Sequence, residues 1–91
     1  MKTKAVISVT GRDNVGIIAK VSAICAVDGA NIIDISQTVL KEYFAMIMIV
    51  EIDQLKVPFT EFVDHVTSLG KQNGLEIHAM HEDIFDSMHK V

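Results

Sequence analysis

The apolar positions of this chain change their period from segment to segment, and each change marks an element. Residues 4–10, KAVISVT, form a short β-rich run closed by Gly11, which predicts a first strand. Ile17, Ile18, Val21, Ile24 and Cys25 then recur at i, i+1, i+4, i+7 and i+8, the stripe of an amphipathic helix. Gly29 is placed to stop that helix. NIIDISQTVL (31–40) alternates, with Ile33, Ile35 and Val39 on one side and Asp34, Ser36 and Thr38 on the other: a strand with one buried face. YFAMIMIVEI (43–52) is apolar on both faces, as a central strand covered on both sides would be. The gap at Lys41 and Glu42 has room only for a hairpin, so these two strands pair antiparallel. Pro58 suits the first position of a second helix, whose stripe is Phe59, Phe62, Val63, Val66 and Leu69 and whose stop is Gly74. LEIHAMH (75–81) predicts a fourth strand, and Ile84, Phe85 and Met88 a closing helical turn or two packed on the body.

The order β-α-β-β-α-β, with right-handed crossovers, predicts an α+β fold of ferredoxin-like form. This is an antiparallel sheet with two helices on one face, plus a short C-terminal helix. One domain spans 1–91. Strands one and three are then central and strand two is an edge. That edge has neither proline nor lysine within 31–40 to block further pairing. A homodimer is the expected consequence, with the outer face of strand three covered as well.

Composition narrows the function classes. Hydrophobic residues make up 49% of the 91, ample for a core without disulfides, and the one cysteine can form no internal bridge. The formal charge of −4 and the absence of basic blocks argue against a nucleic-acid partner. The start, MKTKAVISVTG, does not read as a signal peptide, and the longest apolar run, 43–50, falls far short of the roughly 20 residues that span a bilayer. The expectation is a soluble cytoplasmic domain with no membrane partner.

Three trades use this topology. An RNA-recognition module stacks bases on aromatics of strands one and three, yet strand one has none. An acylphosphatase-like enzyme holds a phosphate with an arginine after strand one; Arg12 lies there, with Asn31 as a possible companion, but without a glycine-rich cradle. No Ser-His-Asp, Cys-His or paired-carboxylate arrangement stands out, so no catalytic residue and no cofactor are expected. The third trade is ligand-responsive regulation. TGRDNVGIIAKVSAICAVDGANIIDISQ (10–37) resembles the first half of an ACT domain: an Asp or Asn shortly before a glycine, a small-and-apolar helix, then G-x-N-I opening strand two. Over nearly its whole length the chain is similar to stand-alone ACT-domain proteins and to the ACT halves of the glycine cleavage system repressor.

The resemblance implies a regulatory module that binds an amino acid or similar effector at a dimer interface and passes its state to a partner protein. The residues matching the family's site are Asp13, Asn14, Gly16 and Ile17 at the loop and helix start, and Asn31 with Ile32 opening strand two. Elementary chemistry agrees. A helix's first turn has free amides and a partial positive charge suited to a carboxylate. Asp13 can pair with an ammonium, and the Asn31 amide both donates and accepts. Asp13 also repels a second carboxylate, which favours a neutral amino acid. Plain structural roles compete: Asn14 or Asp13 as a helix cap contributing about 1 kcal/mol, Gly16 as a packing glycine, Asn31 as a turn residue, and a ligand-free dimer scaffold overall. Val15 replaces the proline frequent in the family, and Gly11 and Asp13 replace the His and Asn of serine-binding members. His78, His81, Glu82 and His89 cluster near the C-terminus without any metal-site spacing, so no metal site is expected. Cys25 reads as a small core hydrophobe and His65 as a surface residue.

Overall fold

The structure is a computed structural model describing residues 2–12 and 15–88. Among these, β1 (Lys4–Arg12), α1 (Ile17–Asp28), β2 (Asn31–Leu40), β3 (Tyr43–Glu51), α2 (Phe59–Asn73), β4 (Glu76–His81) and α3 (Glu82–Met88) follow in order. The sheet order is β2-β3-β1-β4, with each neighbouring pair antiparallel. This is the ferredoxin-like α+β sandwich, with β1 and β3 central and β2 at an edge.

The core lies between the sheet and the pair α1 and α2. Ala5, Ile7 and Val9 of β1, Phe44, Met46, Met48 and Val50 of β3, and Ile77 of β4 bury one face of the sheet. Ile17, Val21 and Cys25 of α1 and Phe62 and Val66 of α2 meet them. The spacing of four along each helix supplies one buried face per element, which is why the sequence pattern locates them. α2 follows Pro58, which stands just outside the helix as its N-cap rather than in its first turn. β1 continues past Gly11 to Arg12, because pairing with β3 continues through Gly11–Phe44 and Arg12–Tyr43.

Two features depart from simple alternation. A register shift between Ile32 and Asp34 makes Ile33 the extra residue of a bulge. Ile32 thereby joins Ile35 and Val39 on the helix side, and Ile33 leaves it. Moreover, β2 is exposed along its length save for a half-buried Ile32. Ile35 is 38% exposed and Val39 57%. Among the described residues nothing supplies the expected full cover on the outer face of β3. Tyr43, Ala45 and Ile47 stay exposed there, while α3 lies over β1 and β4. Among the described residues no helix is long and apolar enough to cross a membrane.

Candidate functional site

The β1–α1 connection leaves the sheet at its hairpin end, since Arg12 pairs with Tyr43 next to the turn at Lys41 and Glu42. Asp13 and Asn14 lie outside the described residues. The helix begins later than a cap at either residue would place it: the N-cap is Gly16, in a left-handed conformation (φ 85°, ψ 4°), and it has no side chain with which to cap. Gly16 is exposed, and a Cβ placed on it would meet nothing within 4 Å, so packing does not require a glycine here. The Ile17 side chain is buried in the core, which leaves only its backbone facing outward chemistry.

Asn31 and Ile32 stand at the other end of the domain. α1 has 12 residues, about 18 Å of helix between Gly16 and the start of β2. Asn31 is exposed, and its Nδ2–H donates to Glu51 Oε1 at 3.0 Å, while Lys2 Nζ lies 3.6 Å from the same oxygen. Ile32 packs against the core from the edge strand. Within one chain, therefore, Gly16 and Asn31 do not meet. Nor do Arg12 and Asn31: they sit on pairings at opposite ends of β1, which places them about 26 Å apart along the strands. A phosphate cradle of the acylphosphatase kind is not assembled from them.

At the hairpin end a cavity of about 350 Å³ is lined by Thr10, Gly11, Thr38, Leu40, Tyr43, Phe44 and Ala45. Its lining is mostly apolar, and it lies where the β1–α1 connection departs. A cleft of about 230 Å³ at the opposite end sets Lys2 and Lys4 against Glu82 and Asp83, so its charges largely offset one another.

Among the described residues the C-terminal histidines do not form a cluster. His78 and His81 are three residues apart on a strand and face opposite sides of the sheet. His78 Nε2 lies 3.4 Å from Glu76 Oε2, whereas His81 stacks on Phe59 with ring centroids 4.3 Å apart. His89 is outside the described residues. Among those described, no group of three or more His, Cys, Asp or Glu side chains converges to hold a metal ion.

One polar pair went unread in the sequence. Asp28, at the end of α1, is buried, and its Oδ2 lies 2.6 Å from His65 Nδ1 on α2. The hydrogen bond to Asp28 raises the His65 pKa above its ordinary value, assisted by the nearby carboxylates of Glu61 and Asp64. Cys25, on the same helix, has its thiol pushed up to about 11, chiefly by burial and then by Asp28. The available signal was a carboxylate on the apolar stripe, since Asp28 continues the Val21–Cys25 face. A buried carboxylate requires such a partner.

Comparison with known proteins completes the picture. The ACT-domain profile matches residues 3–79. A UPF0237 protein of Methanocaldococcus jannaschii is 42% identical over 98% of this chain and 99% of its own length. A UPF0237 protein of Clostridium acetobutylicum is 46% identical over 97% and 99%. Among solved structures, an ACT domain protein from Streptococcus pneumoniae superposes with a TM-score of 0.78 at 41% identity, covering 94% of this chain and 97% of that one. A candidate glycine cleavage system transcriptional repressor shares the fold at 24% identity and a TM-score of 0.73, over 89% of this chain and 46% of the other. The chain belongs to the ACT-domain family, whose members are small-molecule-binding, regulatory or dimerising modules and typically non-catalytic.

Proposed function

We propose that this protein is a dimeric effector-binding regulatory module whose ligand, a neutral amino acid, sits between the β1–α1 connection of one chain and the β2 start of its partner. The observation that carries the reading is the β2 edge: ten residues long, unpaired on its outer side, with Ile33, Ile35, Val39 and Leu40 exposed. Such an edge is a template for another strand. Two-fold antiparallel pairing of two β2 strands sets Asn31 of the partner chain near Leu40 of the first. That is the hairpin end, beside the 350 Å³ cavity and the end of β1 at Arg12. The two halves of the site, 18 Å apart within one chain by the helix-length estimate, then face each other between chains. The ligand's state passes to a regulated protein partner through the dimer geometry.

The ligand-free scaffold is favoured by one specific observation, the Asn31 amide already engaged by Glu51. Two measurements separate the readings. Sedimentation at micromolar concentration gives a dimer for the wild type and a monomer for Ile35→Lys/Val39→Lys. A thermal-shift panel of amino acids gives stabilisation: ligand at about 100 times its dissociation constant adds about 2.7 kcal/mol. For a domain of this size that is about 10–20 °C. Asp13→Ala and Asn31→Ala lose the shift while remaining folded. A wild-type dimer with no shift from any amino acid leaves the scaffold reading in place; a wild-type monomer overturns both.

A further inference from the structure

The sheet face away from α1 and α2 holds a second cavity, which shares Thr10 and Ala45 with the hairpin-end cavity but extends away from it towards β4 and α3. Its volume is about 390 Å³, within the roughly 300–1,000 Å³ of small-molecule pockets. β1, β3 and β4 form the floor: Ser8 pairs with Ile47 on one side and His78 on the other, and Thr10 with Ala45 and Glu76. α3 forms a wall with Phe85 and Met88, and Met80 closes the β4 side.

Three properties define what fits. First, among the described residues no lysine, arginine, aspartate or glutamate lines the cavity, and the imidazole that does, His78, already has the Glu76 carboxylate 3.4 Å away. An anionic head group would therefore meet that carboxylate's field with no fixed cation among the described lining residues to offset it. Second, among the described residues neither the Ser8 nor the Thr10 hydroxyl has a hydrogen-bond partner, and each can both donate and accept. Third, the remaining lining is apolar: the Phe85 ring, the thioethers of Met80 and Met88, Ile47 and Met46 of β3, and the small side chain of Ala45, which leaves the central gap. Methionine and phenylalanine adapt to a ring or a branched chain. The wall itself is loosely seated: α3 has no buried residue, and Ile84 and Met88 are 52% and 65% exposed.

We infer that the cavity between α3 and the outer face of β1, β3 and β4 binds an uncharged small molecule with an aromatic-sized apolar body and one hydroxyl or amide head, the head meeting Ser8 and Thr10. α3 closes over the body as a cover.

The test uses the full chain with carbon-13 methionine methyl groups and p-cresol as the probe. Met80 and Met88 report on the cavity, and Met48, fully buried on the opposite sheet face, is the internal control. p-Cresol is expected to shift the Met80 and Met88 signals saturably and leave Met48 in place. Ala45→Leu, which fills the gap from an exposed position and keeps the fold, weakens binding at least tenfold. Ser8→Ala weakens it several-fold, and p-toluate binds at least tenfold more weakly than p-cresol. The absence of a saturable shift up to the solubility of p-cresol overturns the inference, as does an equal shift in Ala45→Leu. So do Met80 and Met88 signals that respond to protein concentration but not to p-cresol, because a second copy then covers this face.

Discussion

Replacing Gly29 with alanine probes the turn that carries α1 into β2 and sets where Asn31 stands. Gly29 has φ 90° and ψ 21°, and its N–H donates to the Cys25 carbonyl at 2.9 Å. A side chain in that left-handed conformation costs about 1–2 kcal/mol, offset by roughly 0.4–1 kcal/mol of lost unfolded-chain entropy. Space is the larger obstacle. A Cβ would lie 2.6 Å from the Gln54 carbonyl oxygen and 3.3 Å from both the backbone nitrogen and Cγ of Lys56. That segment cannot withdraw freely, because the Lys56 N–H donates to the Asp28 carbonyl at 2.8 Å. Overpacking against backbone adds about 1–3 kcal/mol, so Gly29→Ala should cost about 2–4 kcal/mol in total. Gly74 separates the two contributions. Its φ is 69°, also left-handed, but nothing lies within 4 Å of a Cβ built there. Gly74→Ala therefore carries only the conformational part, about 1 kcal/mol. Urea unfolding of both variants, compared at equal m-value, reads the difference. Equal losses would refute the steric reasoning, and a larger loss at Gly74 would reverse it.

Two further outcomes follow from the polar pair and the thiol. The His65 pKa is raised in the folded state by its bond to Asp28, so the stabilisation is fully present below the unfolded value of 6.5 and is lost as pH rises through the folded pKa. The gap in urea midpoint between wild type and His65→Gln should therefore be wide near pH 6 and narrow towards pH 9; a gap independent of pH would contradict the pairing. Cys25 is buried and its thiol is pushed up to about 11, so near pH 8 it is protonated and shielded. A thiol reagent should modify the native protein far more slowly than the urea-unfolded chain, and comparable rates would place Cys25 outside the core.

The elements were legible from the change of period between segments. β2 runs from Asn31 to Leu40 as its alternation implies, and Gly29 and Gly74 end their helices because both occupy left-handed positions. Alternation failed at Ile33, since a bulge inserts one residue and transfers every later side chain to the opposite face. Gly11 did not end β1: its missing side chain leaves room for Leu75 while the strand pairing continues. The site was legible only in part. Motif spacing chooses Gly16 and Asn31 and puts them at opposite ends of the first helix, but it does not give the backbone conformation at either end. α1 sets them apart, and its N-cap falls on Gly16 because helical geometry begins only at Ile17. The Asp28–His65 pair depends on how α1 and α2 approach, a tertiary contact across 37 positions that no local period encodes.

On the proposed dimer, this separation of the half-sites has an energetic consequence. A ligand that touches the β1–α1 connection of one chain and Asn31 of the other binds the dimer more tightly than the monomer, and by the same factor dimerisation raises affinity for the ligand. Couplings of about 1–3 kcal/mol change the dimer constant roughly 5–150-fold. Such a factor alters the population only when the unliganded dimer is of intermediate strength. The β2 edge is mixed in chemistry: it offers main-chain pairing along ten residues, while its apolar side chains are scattered among Asp34, Ser36, Gln37 and Thr38. A fully apolar edge would hold the dimer closed at any ligand concentration, and a fully polar one would leave nothing for the ligand to complete. On the proposed reading, mixed chemistry along β2 is the feature that lets a small effector govern the association.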